Sequence, residues 1–112
     1  MATFTAVRIL GPVQLTTTAT NTSYTVGSGK TVVAKQIIFN NTSTSAVTLQ
    51  AYVVPVSGSA STATAIITDL SIGPKSQVIW SADIPMVAGE KLQLSAGTGA
   101  VVTTVVSGIE IA

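Results

Sequence analysis

The segment G-S-G-K-T at residues 27–31 has the most suggestive spacing for chemistry, because Gly-Lys-Thr also ends the phosphate-binding loop of nucleotide-binding proteins. That motif requires another glycine five positions before Gly29, where this chain has Tyr24. It also requires a helix after the lysine to cradle the phosphate, whereas the residues after Lys30 have the composition of a β-strand. The segment is therefore interpreted as a glycine turn between two strands, and no cofactor is expected.

Candidate catalytic residues are scarce in the rest of the chain. The sequence contains no histidine and no cysteine, which excludes Ser-His and Cys-His relays, thiolate metal sites and disulfides. Glycoside hydrolysis and calcium binding both need carboxylates gathered in one place, whereas the four acids lie in separate segments. They are interpreted as solvated or turn-bracing groups: Asp69, Asp83, Glu90 and Glu110. We expect no metal site, no small-molecule ligand and no enzymatic activity.

The overall composition predicts an ordered, β-rich protein. Of 112 residues, 46% are hydrophobic and only 8% are charged, against about 25% charged in ordinary soluble domains. Valine, isoleucine and threonine are abundant, and their branched side chains suit a pleated sheet. The length is typical of one domain with one core, so residues 1–112 are expected to form a single domain.

Charge and hydropathy limit the classes of partner. The net charge is +1 and the five basic residues are scattered singly, so no basic patch predicts nucleic-acid binding. No apolar run approaches the roughly 18 residues that indicate a membrane span, and the first residues lack the features of a signal peptide. The mean hydropathy of +0.60 in a small domain without disulfides favours stabilisation by partner subunits.

The stretch from Tyr24 to Asn40 contains a short strand, a glycine turn and a long strand, and most later segments repeat this scheme. About eight short strands are separated by turn residues, without helical periodicity of useful length. This pattern predicts an all-β fold, specifically an antiparallel β-sandwich of the jelly-roll type.

Alternation of apolar residues indicates which side of each strand faces the core. Between Thr31 and Phe39 the alternation changes phase, and a bulge near Lys35-Gln36 would restore one inward face for Val32, Ala34, Ile37 and Phe39. Trp80 is expected in the core, with an interface anchor or a sugar-stacking platform as alternatives. The inward residues predicted for the following strands are Val47, Leu49, Ala51 and Val53, then Ile66, Leu70 and Ile72, then Val78, Trp80, Ala82 and Ile84.

Residues 1–12 are expected to form either an edge strand or an arm that lies on a neighbouring subunit. Phe4, Arg8 and Leu10 share one side of this segment and are candidate interface residues. Gly11-Pro12 is expected to interrupt the strand, because proline has no N–H to donate to a central ladder.

Further candidates for contact with partners come from three places. Tyr52 lies on the outward side of its strand, where it is either an interface residue or simply an exposed ring. Val56 is the one large apolar residue in the small-residue loop 55–62. The last strand is apolar on both sides, which indicates either a buried central strand or subunit packing that involves Val102 and Val106. The sparse charge favours subunit contacts.

Six different turn and strand motifs follow one another along residues 22–112. They are Tyr24-Thr25-Val26, Gly29-Lys30-Thr31, Asn41-Thr42-Ser43, A-Y-V-V-P at 51–55, V-A-G-E-K at 87–91 and V-S-G-I-E-I at 106–111. In these motifs the chain resembles a group of small β-rich virion structural proteins from tailed bacteriophages. The turn differs from the usual V-P-A-G-K of that group by having Gly27-Ser28 in place of Pro-Ala.

The resemblance implies a non-enzymatic building block of a phage particle. The favoured role is a capsid decoration, or cement, protein that binds across adjacent coat subunits on the outer surface of the capsid. The expected partners are further copies of the same chain, as a homotrimer, and the phage major capsid protein. Such a protein would be made in the host cytoplasm. The alternative is a component of the tail, baseplate or fibre, including a receptor- or glycan-binding module.

Overall fold

The computed structural model describes residues 3–112, without the side chain of Ala82. This part of the chain forms eight β-strands and a three-residue 3-10 helix at Ala19–Asn21. Within these described residues, no helix is long and apolar enough to cross a membrane. The strands are β1 Phe4–Gln14, β2 Ser23–Thr25, β3 Thr31–Asn41, β4 Val47–Val54, β5 Ala65–Ile72, β6 Gln77–Val87, β7 Lys91–Ala96 and β8 Val102–Ile111.

The eight strands form two four-stranded antiparallel sheets. The first sheet has the order β1-β8-β3-β6, and the second sheet has the order β2-β7-β4-β5. Apart from the β4–β5 hairpin, consecutive strands belong to opposite sheets, so the chain repeatedly crosses between the two layers. This is the arrangement of an eight-stranded jelly roll. The predicted antiparallel β-sandwich with about eight strands is confirmed.

The core lies between the sheets and is built from alternate residues of each strand. On β3 the pairing with both neighbours shifts between Ala34 and Gln36, which places the predicted bulge at Lys35. The bulge allows residues of both phases to point inward from one strand. The largest fully buried side chains are Phe39, Leu15, Ile37, Leu49, Ile72, Met86, Leu92, Leu94, Val32, Val54, Val102 and Val106.

Most of the inward residues predicted for β4 to β6 contribute to this core. Val47, Leu49 and Ala51 are buried. The partly buried residues that pack against the core include Val53, Leu70, Val78, Trp80 and Ile84. The core position of Trp80 favours packing over the two surface roles considered for it.

The prediction that Ile66 faces inward is wrong. Ile66 is exposed, whereas its neighbour Ile67 is buried. The pairing of β5 with β4 is irregular on this side of Leu70, and Asp69 has a φ of 50°. This local departure from regular strand geometry changes the phase of the alternation, so Ile67 and Ile72 both reach the core.

The expected interruption at Gly11-Pro12 is also wrong, because β1 continues to Gln14. An edge strand tolerates proline, and the pairing with β8 adjusts through an irregularity between Leu10 and Val13. Gly11 has a φ of 82°, and a Cβ atom there would overlap the carbonyl oxygen of Thr104. Residues 4–14 therefore form an edge strand, and Met1 and Ala2, the start of the expected arm, lie outside the described residues.

Asn41 links the two layers at one end of the sandwich. It is fully buried at the end of β3. Its Nδ2 donates to the carbonyl oxygens of Ser45 at 2.8 Å and Gly73 at 3.1 Å, next to the second sheet's strands β4 and β5. Its Oδ1 accepts from the backbone N–H of Ser43 at 3.0 Å. A single amide thus fixes two connections between the sheets.

Candidate interaction surface

The side of the first sheet that faces away from the core is a broad surface with little charge. On β8 the buried residues are Val102, Thr104, Val106 and Gly108, so the residues between them point outward. Residues directly opposite one another in antiparallel strands share a face, and the pairing therefore aligns the outward residues in rows across β1, β8, β3 and β6. We call this surface the apolar face.

Two rows near the start of β1 and the end of β8 are almost wholly apolar. Phe4 is 69% exposed and Val87 is 55% exposed, at opposite ends of one row. Such a contiguous apolar area on a surface is typical of an interaction site. The two rows are Phe4, Ile111, Thr31 and Val87, then Ala6, Ile109, Val33 and Pro85.

A polar row crosses the middle of the apolar face. It consists of Arg8, Ser107, Gln36 and Ser81. Next to it, the bulge on β3 brings the Nζ of Lys35 into an ion pair with the carboxylate of Asp83 on β6. Both partners are exposed, so this pair contributes little to stability. The charges of this region therefore lie at one level along the strands.

Beyond the polar row, the apolar face continues with a row of aliphatic side chains. Val105, Ile38 and Ile79 lie side by side on β8, β3 and β6. Ile79 is 57% exposed although it lies on a regular strand. The last row is neutral and polar, with Gln14, Thr103, Asn40 and Gln77.

The structure separates the candidate interface residues of the first sheet into two groups. Phe4 and Arg8 are exposed and lie on the apolar face. Leu10 is partly buried against the core. Val102 and Val106 are fully buried between the sheets, so they cannot contact a partner of the folded chain. The two-sided apolarity of the last strand comes from these inward valines and from the outward Val105, Ile109 and Ile111.

The apolar residues of β3 and β6 that complete this face were not among the candidates predicted from the sequence. Val33 and Ile38 point away from the core between residues that point into it, and Ile79 does the same on β6. The available signal was that β3 and β6 are apolar on both sides, as β8 is. Only the pairing of these strands shows that their outward residues form one surface.

The outer side of the second sheet has a different character. The side-chain amide of Gln50 donates to Oδ1 of Asp69 at 2.8 Å. Its Oε1 accepts from the hydroxyl of Tyr52 at 3.0 Å and from Oγ of Ser95 at 3.2 Å. We call these four residues the polar cluster. Tyr52, a candidate interface residue, is therefore half-buried and engaged within the chain.

Gln93 lies beside the polar cluster and is almost fully buried. Its Nε2 donates to Oγ of Ser23 at 3.3 Å. Its Oε1 has no hydrogen-bond partner within residues 3–112. The oxygen is shielded from solvent, so it is a local cost to the fold and offers no open site for a ligand.

Val56, the remaining candidate, is 59% exposed in the loop between β4 and β5. A turn holds this loop, with the backbone N–H of Gly58 donating to the carbonyl oxygen of Pro55 at 2.9 Å. Val56 lies against the turn between β6 and β7, where a Cβ atom on Gly89 would approach its Cγ2 to 2.9 Å. One side of the Val56 side chain therefore packs against this turn, and the other side is exposed to solvent.

The segment resembling a phosphate loop is a turn between β2 and β3, as predicted. The N–H of Lys30 donates to the carbonyl oxygen of Gly27 at 3.3 Å, and Nζ of Lys30 lies 3.4 Å from Oε1 of Glu110. Burial raises the pKa of the nearby Tyr24 hydroxyl above 10.0. The negative charge of Glu110 raises this pKa further, and the positive charge of Lys30 partly opposes the change.

Among the residues that the structure describes, no three or more metal-binding side chains gather into a group. No pocket is found on the surface of the same residues.

No protein-family model matches the sequence. No curated protein matches it either.

Solved structures with a similar fold include the NLP core of Drosophila, in a structure described as giving insight into pentamer formation and histone binding. The two chains are 17% identical, the TM-score is 0.54, and the match covers 98% of this chain and 99% of that chain.

The fold is also found in chains of infectious bursal disease virus. The match to the T13 viral particle has a TM-score of 0.56 at 9% identity, and the match to the VP2 subviral particle has a TM-score of 0.51 at 13% identity. Both cover 98% of this chain, but only 30% and 32% of the viral chains. This chain thus spans about a third of the length of those proteins. At such low identity the likeness shows a shared β-fold and nothing more.

Proposed function

We propose that this chain is a non-enzymatic structural protein of a virion, and specifically a decoration protein on the outer capsid of a tailed bacteriophage. The observation that carries the proposal is the apolar face, which leaves Phe4, Ile79 and Val87 exposed on regular strands. A chain with this surface is suited to an assembly in which other subunits cover it. The resemblance of residues 22–112 to small phage virion proteins suggests that this assembly is a phage particle.

The proposed mechanism is clamping of adjacent coat subunits. The decoration protein acts as a homo-oligomer, expected to be a trimer, and binds the major capsid protein with surfaces that its own copies do not cover. Burial of apolar area contributes about 25 cal/mol per Å², from which the cost of association must be subtracted. Each contact is therefore modest, and repetition over the capsid surface makes the total stabilisation large.

The parts of the chain proposed to bind the coat protein are the loop 55–62 and the outer side of the second sheet. Val56 is the exposed apolar residue of that loop. Its support by the turn at Gly89 would hold it in place for insertion between coat subunits. The jelly-roll fold, which is shared with part of the VP2 chain of infectious bursal disease virus particles, is compatible with a place in a capsid.

Histone binding, described for the Drosophila NLP core, is not carried over to this chain. Binding of basic proteins depends on an excess of acidic residues on the surface. This chain has four acidic and five basic residues, so it has no such excess.

A second candidate function is a receptor- or glycan-binding module in the tail, baseplate or fibre. The polar cluster favours it, because an aromatic ring beside an amide and a carboxylate is a common arrangement for sugar binding. Tyr52, Gln50 and Asp69 provide these groups on the outer side of the second sheet. The test is a glycan array probed with the purified protein and with Tyr52→Ala, since this candidate predicts saccharide binding that the substitution removes.

The experiment that separates the two functions is the copy number of the protein in purified virions of the phage that encodes it. A decoration protein should give a strong band, with many copies per particle on the capsid. Particles that lack the protein should release DNA at a lower temperature than complete particles. A band of a few copies that remains with isolated tails would contradict the capsid role and support the second candidate.

A further inference from the structure

We propose that copies of this chain associate through the apolar face, around a rotation axis parallel to the strands of the first sheet. Such an axis places the β1 edge of one copy against the β6 edge of the next, at the same level along the strands. The inference rests on the proposed homo-oligomer and adds the surface and the orientation. The partner on this surface is a second copy of the chain.

The size of the apolar face is suited to a stable contact. Its strands contain ten or eleven residues each. At about 3.4 Å per residue and about 4.8 Å between strands, four such strands cover about 34 Å by about 19 Å. An ordinary stable interface buries about 800 Å² on each partner. The face, at about 650 Å², therefore approaches the size of one ordinary contact, and in a ring this area is divided between two neighbours.

The charges on the two edges of the face are complementary. Arg8 lies on β1 in the polar row, and Asp83 lies on β6 beside the same row. The two ion pairs found within residues 3–112 do not include Arg8. Asp83 binds Lys35 through Oδ1 and is largely exposed, so its other oxygen can accept a hydrogen bond from a guanidinium group. Rotation about the proposed axis brings Arg8 of one copy to Asp83 of the next.

The most exposed apolar side chains also lie on opposite edges of the face. Phe4 on β1 and Val87 on β6 are the two ends of one row. The proposed axis brings Phe4 of one copy to Val87 of the next, and it keeps the polar row opposite a polar row. A twofold axis that crosses the strands at the level of the polar row would place the β1 edges together and Arg8 beside Arg8 of the next copy, and these like charges repel each other.

These complementary edges are the reason for choosing a second copy as the partner. A different protein would need its own apolar surface with an acidic group at the level of Arg8 and a basic or neutral group at the level of Asp83. A copy of this chain supplies both because Arg8 lies in the polar row on one edge of its own sheet and Asp83 lies beside that row on the opposite edge. The rule holds for an axis of any order, so it applies to the expected trimer.

Disulfide trapping tests the proposal directly, because the chain has no cysteine of its own. The variant Arg8→Cys/Ser81→Cys places two thiols in one row, on opposite edges of the sheet. They are three strand spacings apart, about 14 Å, which is too far for a bond within one chain. We expect mild oxidation to convert the purified protein to covalent oligomers on a non-reducing gel.

The matched control is Gln14→Cys/Val87→Cys, which uses the same two strands at different levels. It should remain monomeric on the gel under the same oxidation. Each single-cysteine variant should also fail to cross-link, since the proposed axis keeps identical positions apart.

The proposal is overturned if Arg8→Cys/Ser81→Cys gives no covalent oligomer while circular dichroism shows that it is folded. It is equally overturned if the mismatched pair cross-links as well as the matched pair. The experiment uses purified protein without virions, so it fails separately from the decoration role. Cross-linking together with a low copy number in virions would keep the interface and remove the decoration role.

Discussion

The outer sides of the two sheets differ in whether their side chains find partners within the chain. On the second sheet, Gln50 binds Tyr52, Ser95 and Asp69, so the polar groups of this surface are largely paired within the chain. On the first sheet, the rows on either side of the polar row contain aliphatic and aromatic groups that have no cover within residues 3–112. The same two-layer fold therefore has one surface whose polar groups are largely paired within the chain and one that leaves apolar groups exposed, as the proposed association requires.

The largest loss of stability is expected from Gly108→Ala in the first sheet. Gly108 lets β3 and β1 approach β8 beside the bulge. A Cβ atom at this position would overlap the carbonyl oxygen of Val33 and lie 2.9 Å from Cδ1 of Ile9. We expect the free energy of unfolding to fall by about 1–3 kcal/mol, as for other overpacked sites. Urea denaturation followed by circular dichroism measures this change.

The control is Gly99→Ala, since a Cβ atom there meets nothing within 4 Å. This variant should unfold at nearly the same urea concentration as the original protein. Equal stability of the two variants would show that the close approach at Gly108 does not shape the first sheet.

A smaller effect is expected from Gln50→Ala on the second sheet. The substitution leaves the hydroxyl of Ser95, a buried residue, without its acceptor. It also removes one hydrogen bond from Tyr52 and one from Asp69. We expect a loss of about 1 kcal/mol in the free energy of unfolding, as for other buried groups that lose a partner. Denaturant titration of the variant provides the measurement.

Gln36→Ala makes the same change on the first sheet and sharpens the contrast. Gln36 lies in the polar row, and its side chain has no hydrogen bond within the part of the chain that the structure describes. Its replacement should leave the stability of the monomer nearly unchanged. If Gln36→Ala cost as much as Gln50→Ala, the two surfaces would not differ in the way described.

The smallest effect concerns Tyr24, where the two sheets meet near Lys30 and Glu110. Its pKa is raised in the folded protein, chiefly by burial, so folding favours the protonated hydroxyl. The resulting stability is fully present below the unfolded pKa of 10.0 and is lost as the pH rises from there through the folded pKa. Tyr24→Phe should therefore lose less stability than the original protein above pH 10. Parallel pH dependences of the two unfolding free energies would contradict this.

Sequence alternation predicted the fold and much of the core for a physical reason. In a strand, successive side chains point to opposite faces, so a change of phase requires a bulge, and the one between Val32 and Phe39 was located correctly at Lys35. The irregularity at Asp69 was missed because Ile66 and Ile67 are both isoleucine, and the sequence offers no preference between them. Alternation is informative only where neighbouring residues differ.

The candidate surface was harder to predict than the core, because a surface depends on which strands are neighbours. Phe4 and Arg8 were selected from the sequence, but their connection to Val87 and Asp83 follows only from the order β1-β8-β3-β6. Val102 and Val106 were selected because β8 is apolar on both sides, and the pattern does not tell which side is the core. The polar cluster was missed because it joins residues of three strands.

The most direct test of the association through the apolar face is the mass of the protein in solution, measured by light scattering for Ile79→Lys and Ile66→Lys. Both isoleucines are exposed on edge strands, one on the first sheet and one on the second. We predict that the original protein and Ile66→Lys have the mass of a homo-oligomer and that Ile79→Lys has the mass of a monomer. A monomeric original protein, or an Ile79→Lys variant that keeps the oligomer mass, would contradict the account.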